Sequence, residues 1–550
     1  MRRLVAALRL IEGVSISSNT VKKESFIQVD SLSPKLGQVP AVQRGRHSNW
    51  LVLFFAVLIV VCGGIRFAWQ AIDFDSLHQD PDAYKALAEG LASSGTLGRI
   101  GDAGVTATAY RPPGYIWALS WLVFDNKVSE FRVSIFQGIL GTLTCVFIAR
   151  IAYLLSGSTA VAVFASLAVA VDPILLKQSS LVMTETLATF ITVVLWWSWV
   201  ELTKAHRSIW VMMLSMLLIG VLAGIGCLVR PTTFVWIAVW FFCSVCLQGF
   251  YRLNSSRFKL DRSESHPSSG AAICYGPQFS SWFGFFVGVA VVIGPWAYRN
   301  SVQIGQWTMT TTHGGYTFLL ANNPVLYESI QKHGWDRQWD ESRFHLLWDQ
   351  RSLSDPRILE FWNATPESLQ VPESHQVTES LQVTTAEKSI DFQFGNPGEH
   401  REVADDRLAS EVAWKTIQRD PITFLKSCFV RMSWFWAVTP YQSGATSWTV
   451  MAVGLWYCLL FGGIIVACLG LASLALVRFG GLWTAYSQSL GFWVPAFSLV
   501  VSLQLVHSVY WSNMRMRAPL MPILYVFLAI AVFLAWQLTR RRSSSPFTNI

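Results

Sequence analysis

Carboxylates and an arginine gather in one short part of the sequence. Asp80 and Asp82 belong to the motif DPDAY, which ends at Tyr84, and Arg111 follows in the motif AYRPPGY. A carboxylate of this kind can act as a general base towards a hydroxyl, or it can hold a divalent cation. The planar guanidinium of Arg111 is well shaped to pair with a phosphate. The alternative is a solvated acidic loop in which Arg111 only anchors the chain at a surface.

One more acid and four more arginines lie in separate polar motifs. Glu185 lies in MTETL, Arg230 in LVRP, Arg299 in PWAYRN, and Arg515 and Arg517 in NMRMRAPLMP. Glu185 can serve as a second catalytic acid, or it can satisfy the free backbone N–H groups at a helix start. The arginines can bind an anion, or they can extend towards lipid head groups.

The composition identifies the elements that must position these residues. Hydrophobic side chains make up 52% of the 550 residues and charged side chains only 14%, about half the charge of a soluble domain. Soluble globular, disordered and collagen-like classes are excluded. Apolar runs of about 17–25 residues predict an all-α polytopic membrane protein with about ten transmembrane helices (range 9–13), near 50–70, 133–154, 158–177, 186–203, 209–229, 232–250, 281–298, 447–475, 487–507 and 518–538.

Basic residues orient the predicted helices. The formal charge is +8, and residues 1–49 hold eight Lys and Arg against three acids. The tail ends in three further arginines, so both termini are predicted to be cytoplasmic. All the polar motifs then fall at outer helix ends, where Lys and Arg are disfavoured. A shared anionic ligand such as a lipid-linked phosphate explains these arginines, and no nucleic-acid site is indicated.

The predicted spans divide the chain into five segments, two of which flank the membrane modules as basic cytoplasmic ends. The run GYIWALSWLVF in the first outer loop is too short to span and predicts an interfacial helix. The outer loop region carries more acids than bases and contains a low-complexity hexapeptide repeat, predicted to be disordered. The segments are 1–49 (basic, cytoplasmic), 50–298 (membrane module with the catalytic first outer loop 71–132), 299–430 (outer loop region with the insertion 366–383), 431–538 (membrane module) and 539–550 (basic tail).

The order of the motifs resembles that of the polytopic glycosyltransferases of the GT-C superfamily. The branch is the one related to protein mannosyltransferases and to lipid A aminoarabinose transferase. The resemblance rests on six motifs in order, from about residue 73 to 525, namely DPDAYKALAEGLASSG, YRPPGY, MTETL, LVRP, PWAYRN with THGGYTFLLANNP, and RMRAPLMP. It implies transfer of a hexosyl or pentosyl group, with inversion, from a polyprenyl-phosphate carrier to an acceptor at the outer membrane face.

The resemblance also implies roles for the two acidic positions. The family's first-loop acid precedes a tyrosine by four positions, and here Asp80 precedes Tyr84 by four. Asp80 is therefore the implied base or acceptor-orienting group, although the neighbouring Asp82 stays open as an alternative. Glu185 matches the family's second acidic position.

The implied substrate-binding residues are mostly basic. Arg111 stands where the family has a basic residue near the carrier phosphate, and Arg299 and Arg515 match other recurrent arginines. His313 stands where a small polar residue, often asparagine, is expected, so the loop on the sugar side departs from the family pattern. The full set predicted to bind carrier or substrate is Asp82, Tyr84, Arg111, Arg230, Arg299, His313, Arg515 and Arg517.

A transporter or flippase of a lipid-linked or anionic solute is the alternative function. It predicts charged residues along the spans, whereas the middles of the predicted spans hold almost none. The expected partners of an enzyme are a polyprenyl-phosphate-linked sugar, the lipid bilayer, and an acceptor that is a protein, lipid or glycan. No metal site is predicted apart from a divalent cation at the first-loop acids. The expected location is a bacterial inner membrane, with the active site on the periplasmic side.

Overall fold

The computed structural model describes most of the membrane-embedded chain. Most of the predicted basic N-terminal segment, the hexapeptide repeat at 366–383 and the end of the tail lie outside the described residues. The described stretches are 41–101, 104–204, 208–260, 279–334, 341–350, 400–440, 446–477 and 482–543.

Helices dominate these stretches, and two small antiparallel sheets lie in the first loop. Two 3₁₀ helices cover Phe74–His78 and Met514–Leu520. The strands are β1 (Gly98–Gly101), β2 (Gly104–Ala107), β3 (Val123–Phe124) and β4 (Lys127–Val128). The α-helices are α1 (Ala41–Ile72), α2 (Tyr84–Ser94), α3 (Pro113–Ser120), α4 (Glu130–Ser156), α5 (Thr159–Ala170), α6 (Pro173–Ser179), α7 (Glu185–Lys204), α8 (Ile209–Val229), α9 (Thr232–Leu260), α10 (Ser281–Gln303), α11 (Gly314–Ala321), α12 (Pro324–His333), α13 (Glu341–Gln350), α14 (Arg401–Arg419), α15 (Pro421–Phe435), α16 (Ser447–Val477), α17 (Leu482–Val509) and α18 (Met521–Ser543).

Nine of the described helices are long and apolar enough to cross a membrane. These are α1, α4, α7, α8, α9, α10, α16, α17 and α18, the last together with the 3₁₀ turn that precedes it. Helices α5 and α6 form a bent pair, at 52° to each other, that makes a tenth span if the pair is one crossing. The predicted all-α polytopic architecture with about ten spans is confirmed.

The ends of the spans follow local sequence signals. Ser129 caps α4 by accepting a hydrogen bond from the N–H of Arg132, and Gly157 ends the helix in the left-handed conformation. Between α5 and α6, Asp172 precedes Pro173, a pair that disfavours a continuous helix. The predicted single span at 158–177 is therefore bent there.

Two spanning helices pack closely enough to exclude any side chain. Helices α8 and α10 cross at Gly288, where an added Cβ would lie 2.2 Å from the carbonyl oxygen of Leu217. Small residues permit this approach, and close packing is the main attraction between helices in lipid. This packing holds α8, which is followed by Arg230, against α10, which contains Arg299.

The first loop folds into short helices and strands. GYIWALSWLVF forms the short helix α3 and the residues that follow it, as the sequence predicted. Strands β3 and β4 are joined by Asp125 and Asn126, both at positive φ, which is the residue chemistry of a two-residue hairpin turn. The later loop region contains the longer helix α14, whose buried residues include Ala404, Ala409 and Val412.

Two buried ionisable groups, Arg66 and Asp172, form hydrogen bonds between helices that the sequence did not predict. Arg66 of α1 is 2% exposed and donates to the carbonyl of Val169 at 2.5 Å. Asp172 is fully buried and accepts hydrogen bonds from the hydroxyls of Tyr457 (3.1 Å) and Tyr525 (2.6 Å). These hydrogen bonds connect α1, α16 and α18 to the bent pair. They also supply the polar partners that a buried charge requires.

Candidate active site

Asp80 has one carboxylate oxygen in use and one available. Its Oδ2 accepts hydrogen bonds from the backbone N–H groups of Lys85 (2.9 Å) and Ala86 (3.3 Å), which fixes the start of α2. Its Oδ1 is buried, without a hydrogen-bond partner among the described residues. Burial raises the pKa of the Asp80 carboxyl above its ordinary value. The two backbone hydrogen bonds fix the position of the carboxylate, and its second oxygen keeps its capacity to accept a hydrogen bond.

Asp82 has a different environment, although it is only two residues away. Its Oδ1 lies 2.8 Å from Nη2 of Arg111, in a largely buried ion pair. The guanidinium carbon Cζ of Arg111 also lies 5.8 Å from the ring centre of Tyr84 and 5.2 Å from that of Tyr110. Asp82 therefore positions Arg111, whereas Asp80 keeps one oxygen without a partner among the described residues.

Ala83 stands between the two acids in a strained backbone conformation. Its φ of 57° and ψ of 27° lie in the left-handed region, which costs an L-residue about 1 kcal/mol. We expect Ala83→Gly to raise the melting temperature of the detergent-purified protein, with a gain in stability of up to about 1 kcal/mol.

Ala92→Gly is the matched control for that substitution. Ala92 is an exposed residue in the regular part of α2, where glycine should lower stability by about 0.5–1 kcal/mol. Equal losses in the two variants would mean that the conformation at Ala83 stores no strain.

Glu185 meets two arginines from distant parts of the chain. It is 2% exposed at the start of α7. Its Oε1 lies 3.9 Å from Nη1 of Arg230, which follows α8, and 3.6 Å from Nε of Arg515 in the second 3₁₀ helix. Its Oε2 is buried and unpartnered within the described stretches. Both separations exceed a hydrogen bond, so each guanidinium keeps donors for a further anion.

Two buried tyrosines connect the first-loop acids with Glu185. The rings of Tyr84 and Tyr115 pack edge to face with centroids 5.3 Å apart. Arg111 and Glu185 both act electrostatically on Tyr84, and Glu185 and Asp80 both act on Tyr115. Burial raises the pKa of the Tyr84 hydroxyl far above its ordinary value, so it stays a hydrogen-bond donor. The predicted residues Asp80, Asp82, Tyr84, Arg111, Glu185, Arg230 and Arg515 thus form one neighbourhood.

Arg299, another predicted ligand of the carrier phosphate, binds the first loop. Its Nη2 donates to the carbonyl of Leu97 at 2.6 Å, and its Nη1 donates to the carbonyl of Thr108 at 2.8 Å. The guanidinium also lies 5.0 Å from the ring of Trp296. In this structure Arg299 connects α10 to the loop that carries Arg111.

Arg517 is directed away from the ion pairs of Arg515. It is fully buried, and its Nη1 donates to the carbonyls of Phe435 (2.6 Å) and Ala437 (2.7 Å). Its guanidinium lies 4.6 Å from the ring centre of Tyr457. Two arginines two residues apart thus have different partners, which their shared motif did not indicate.

His313 lies at the start of α11 between two aromatic rings. Its ring centre is 4.2 Å from that of Tyr110 and 5.1 Å from that of Tyr316. Burial, together with the positive charges of Arg111 and Arg99, lowers the pKa of His313 to about 3. His313 is therefore neutral at ordinary pH, packs edge to face against Tyr110 and stacks on Tyr316.

Glu402 of α14 connects two loops near the site, and the sequence did not predict this role. Its Oε2 accepts a hydrogen bond from the Thr108 hydroxyl at 2.6 Å, and its Oε1 accepts one from the N–H of Ala109 at 2.9 Å. The Thr312 hydroxyl also donates to Oε1. The Glu402 carboxylate thus connects α14 to the loop before Arg111 and to the loop before His313.

We expect Glu402→Gln to lower kcat/KM for transfer about 10- to 100-fold. The amide brings donors to a position where three donors already converge, and hydrogen bonds to a charged group contribute about 1.5–3 kcal/mol. Glu411→Gln on the same helix is the control, because the Glu411 side chain is half exposed and 4.0 Å from Arg407. Steady-state kinetics of both variants is the measurement, and equal rates would remove Glu402 from the positioning of the loop.

The sequence allows a divalent cation at the first-loop acids Asp80 and Asp82. Within the described residues, no group of three His, Cys, Asp or Glu side chains comes together as metal ligands do. The divalent cation at Asp80 and Asp82 stays a prediction.

A family sequence profile matches this part of the protein. The profile of the dolichyl-phosphate-mannose-protein mannosyltransferases matches residues 107–306, which run from the loop before Arg111 to just beyond α10. The resemblance to GT-C glycosyltransferases predicted from the motifs is thereby confirmed. No curated protein sequence gives a significant match.

Solved structures with similar folds come from an archaeon and a bacterium. The Archaeoglobus fulgidus oligosaccharyltransferase AglB, in complex with an inhibitory peptide and a dolichol-phosphate, is 12% identical with a TM-score of 0.40, and the match covers 90% of this chain and 52% of AglB. ArnT from Cupriavidus metallidurans bound to undecaprenyl phosphate is 14% identical with a TM-score of 0.33, covering 84% of this chain and 78% of ArnT. The chain thus spans about half the length of the archaeal structure it matches.

Proposed function

We propose that this protein is an integral-membrane inverting glycosyltransferase. It moves a sugar from a polyprenyl-phosphate carrier to an acceptor hydroxyl at the outer face of the membrane. The observation that carries the proposal is the buried carboxylate of Glu185, which lies 3.9 Å from Arg230 and 3.6 Å from Arg515. Asp80 supplies a second carboxylate, whose Oδ1 has no partner in the described structure. The family match over residues 107–306 supports a lipid-phosphate sugar donor.

The charges around Glu185 suit a phosphodiester. Glu185 contributes one negative charge and Arg230 and Arg515 contribute two positive charges, which leaves a local excess of one positive charge. A sugar linked to a polyprenyl phosphate carries one negative charge, and a second develops as the sugar leaves. Guanidinium groups already in place stabilise that developing charge most strongly where water is excluded. The arginines thus favour departure of the carrier phosphate.

The free oxygen of Asp80 supplies the other half of the reaction. Oδ1 accepts the proton of the acceptor hydroxyl while the hydroxyl oxygen attacks the anomeric carbon. The bond from that carbon to the carrier phosphate breaks on the opposite face of the sugar, so the configuration inverts. The elevated pKa of Asp80 makes it a stronger base than an ordinary aspartate.

The charge distribution supports the proposed orientation of the protein in the membrane. The basic residues before residue 50 and after residue 538 belong on the cytoplasmic side. With the spans in the observed order, Asp80, Arg111 and Glu185 then lie on the outer side. The proposal places the protein in a bacterial inner membrane, with the acceptor (a protein, lipid or glycan) on the periplasmic side.

A release assay tests the proposal. The purified protein is reconstituted in lipid and given a panel of polyprenyl-phosphate hexoses and pentoses, and free carrier phosphate is measured with and without a chelator. We expect the wild type to release carrier from at least one donor and the Asp80→Asn variant to release it at least about 100-fold more slowly. A well-folded wild-type protein that releases carrier from no donor would contradict the proposal, and loss of release in chelator alone would assign a divalent cation.

We expect Arg111→Ala to raise the KM for the lipid-linked donor. The substitution removes a guanidinium held in place by Asp82 and Tyr84, and one phosphate contact of this kind contributes about 1.5–3 kcal/mol, or roughly 10- to 100-fold. Arg132→Ala is the control, since Arg132 is exposed on the same side and contacts Phe124. An unchanged KM in Arg111→Ala would exclude the phosphate role.

A further inference from the structure

The outer end of α17 carries two polar side chains that the proposed chemistry leaves unused. Gln504 and His507 are three residues apart, so they lie on one face of the helix. Both face the end of α15. The indole N–H of Trp436 donates to Oε1 of Gln504 at 2.7 Å, and the His507 ring stacks on Phe435 with centroids 5.6 Å apart.

A hydrogen bond fixes the orientation of each side chain. Because Trp436 occupies the carbonyl oxygen of Gln504, the amide nitrogen is directed elsewhere as a donor. The carbonyl oxygen of Trp511 lies 3.0 Å from Nδ1 of His507 and can only accept, so Nδ1 carries the proton. In the neutral imidazole Nε2 is then an acceptor. Gln504 therefore presents a donor and His507 an acceptor.

These two atoms are buried without a partner. Nε2 of Gln504 and Nε2 of His507 have no hydrogen bond within the part of the chain that the structure describes, and His507 is 4% exposed. A buried polar atom without a partner is costly, by about 1–3 kcal/mol. Polar groups deep in a membrane protein that remain unpaired point to a ligand.

The ligand at His507 must supply a hydrogen-bond donor. A polyprenyl chain has none, and an ionised phosphodiester only accepts, so neither satisfies the lone pair of Nε2. A hydroxyl both donates and accepts, and neighbouring sugar hydroxyls match a donor and an acceptor set side by side. His507 stacks on Phe435, whose carbonyl accepts a hydrogen bond from Arg517 in the 3₁₀ helix that also carries Arg515. This contact connects the imidazole to an element of the proposed phosphate site.

We infer that Gln504 and His507 form a subsite that recognises hydroxyl groups on the sugar of the lipid-linked donor. The inference rests on the proposed function, because the sugar is bonded to the phosphate that Arg230 and Arg515 hold. An acceptor hydroxyl has the same chemistry and is the other source of such a group. The connection through Phe435 to the 3₁₀ helix that carries Arg515 favours the donor sugar.

The test compares a sugar-bearing lipid with a bare carrier. His507→Asn keeps an N–H near the carbonyl of Trp511 but has no atom at the position of Nε2, and Gln504→Glu keeps the acceptor for Trp436 but loses the donor. Each variant should raise the KM for the polyprenyl-phosphate sugar that the wild type uses by about tenfold. Binding of undecaprenyl phosphate, which also reports folding, should not change. Ser508→Ala, whose hydroxyl bonds only to Leu505 of its own helix, should match the wild type.

The outcomes separate the two proposals. A donor analogue lacking the recognised hydroxyl should bind wild type weakly and lose nothing further in His507→Asn. An unchanged donor KM, an equal loss of bare carrier binding, or a rise confined to the acceptor KM would each overturn the sugar subsite while leaving the transferase intact. A wild type that turns over no donor would instead overturn the proposed function and the subsite with it.

Discussion

Asp80→Asn should reduce release of the carrier phosphate by about 10²- to 10⁴-fold, the usual contribution of a general base. The asparagine side chain retains one carbonyl oxygen, which can still accept from the N–H groups of Lys85 and Ala86. The start of α2 is therefore preserved, while the basic oxygen is lost. Expression and melting temperature should stay at the wild-type values, which separates the loss of chemistry from a loss of folding.

The pH profile adds a second test of Asp80. Because burial raises its pKa, activity should fall on the acid side at a higher pH than an ordinary aspartate would produce. The control is Asp75→Asn, which removes an exposed acid from the same loop and should leave rate and pH profile unchanged. Full activity in Asp80→Asn, or an equal loss in both variants, would remove Asp80 from the mechanism.

The sequence predicted the spanning helices because the hydrocarbon core of a bilayer requires long runs of apolar residues, which are easy to recognise. A helix of about 20 apolar residues is required to cross a bilayer, and the positions of the runs follow directly. The bend at Asp172 and Pro173 needed the local backbone chemistry of that pair as well as its hydropathy.

The candidate site was predictable to the extent that topology confines it. Glu185, Arg230 and Arg515 are far apart in sequence, yet the sequence predicts each of them at a helix end on the same side of the membrane. They could therefore be expected on one face, where the structure brings them together. The partner of each arginine was not predictable. Arg299 binds backbone carbonyls, which carry no sequence signature, while Arg515 approaches a carboxylate.

Glu402 and His507 escaped sequence reasoning for physical reasons. Glu402 is one acid in an acid-rich outer region, and only the packing of α14 on the first loop brings it to Thr108. His507 lies at the end of an apolar run, where a single polar residue has many structural explanations. Its significance depends on which of its two nitrogens is already bonded.

Glu185→Gln should cause the second large loss. The carboxylate is the negative partner that the structure places between Arg230 and Arg515, and it is buried. Removing one member of a buried ion pair leaves uncompensated charge and typically costs about 3–5 kcal/mol, a cost that the partial exposure of Arg515 reduces. We expect a clearly lower melting temperature and a loss of kcat/KM of about 100-fold or more.

Glu201→Gln, at the other end of α7, provides the matched comparison for Glu185→Gln. Glu201 pairs with Arg150 at 2.9 Å, but both side chains are at least 31% exposed, and exposed pairs contribute at most about 1 kcal/mol. The same substitution in the same helix thus isolates burial and the second arginine as the cause. Because Glu185→Gln increases the positive charge at the site, it should also bind bare carrier phosphate more tightly, and a weaker affinity would mean that Arg230 and Arg515 do not hold the phosphate.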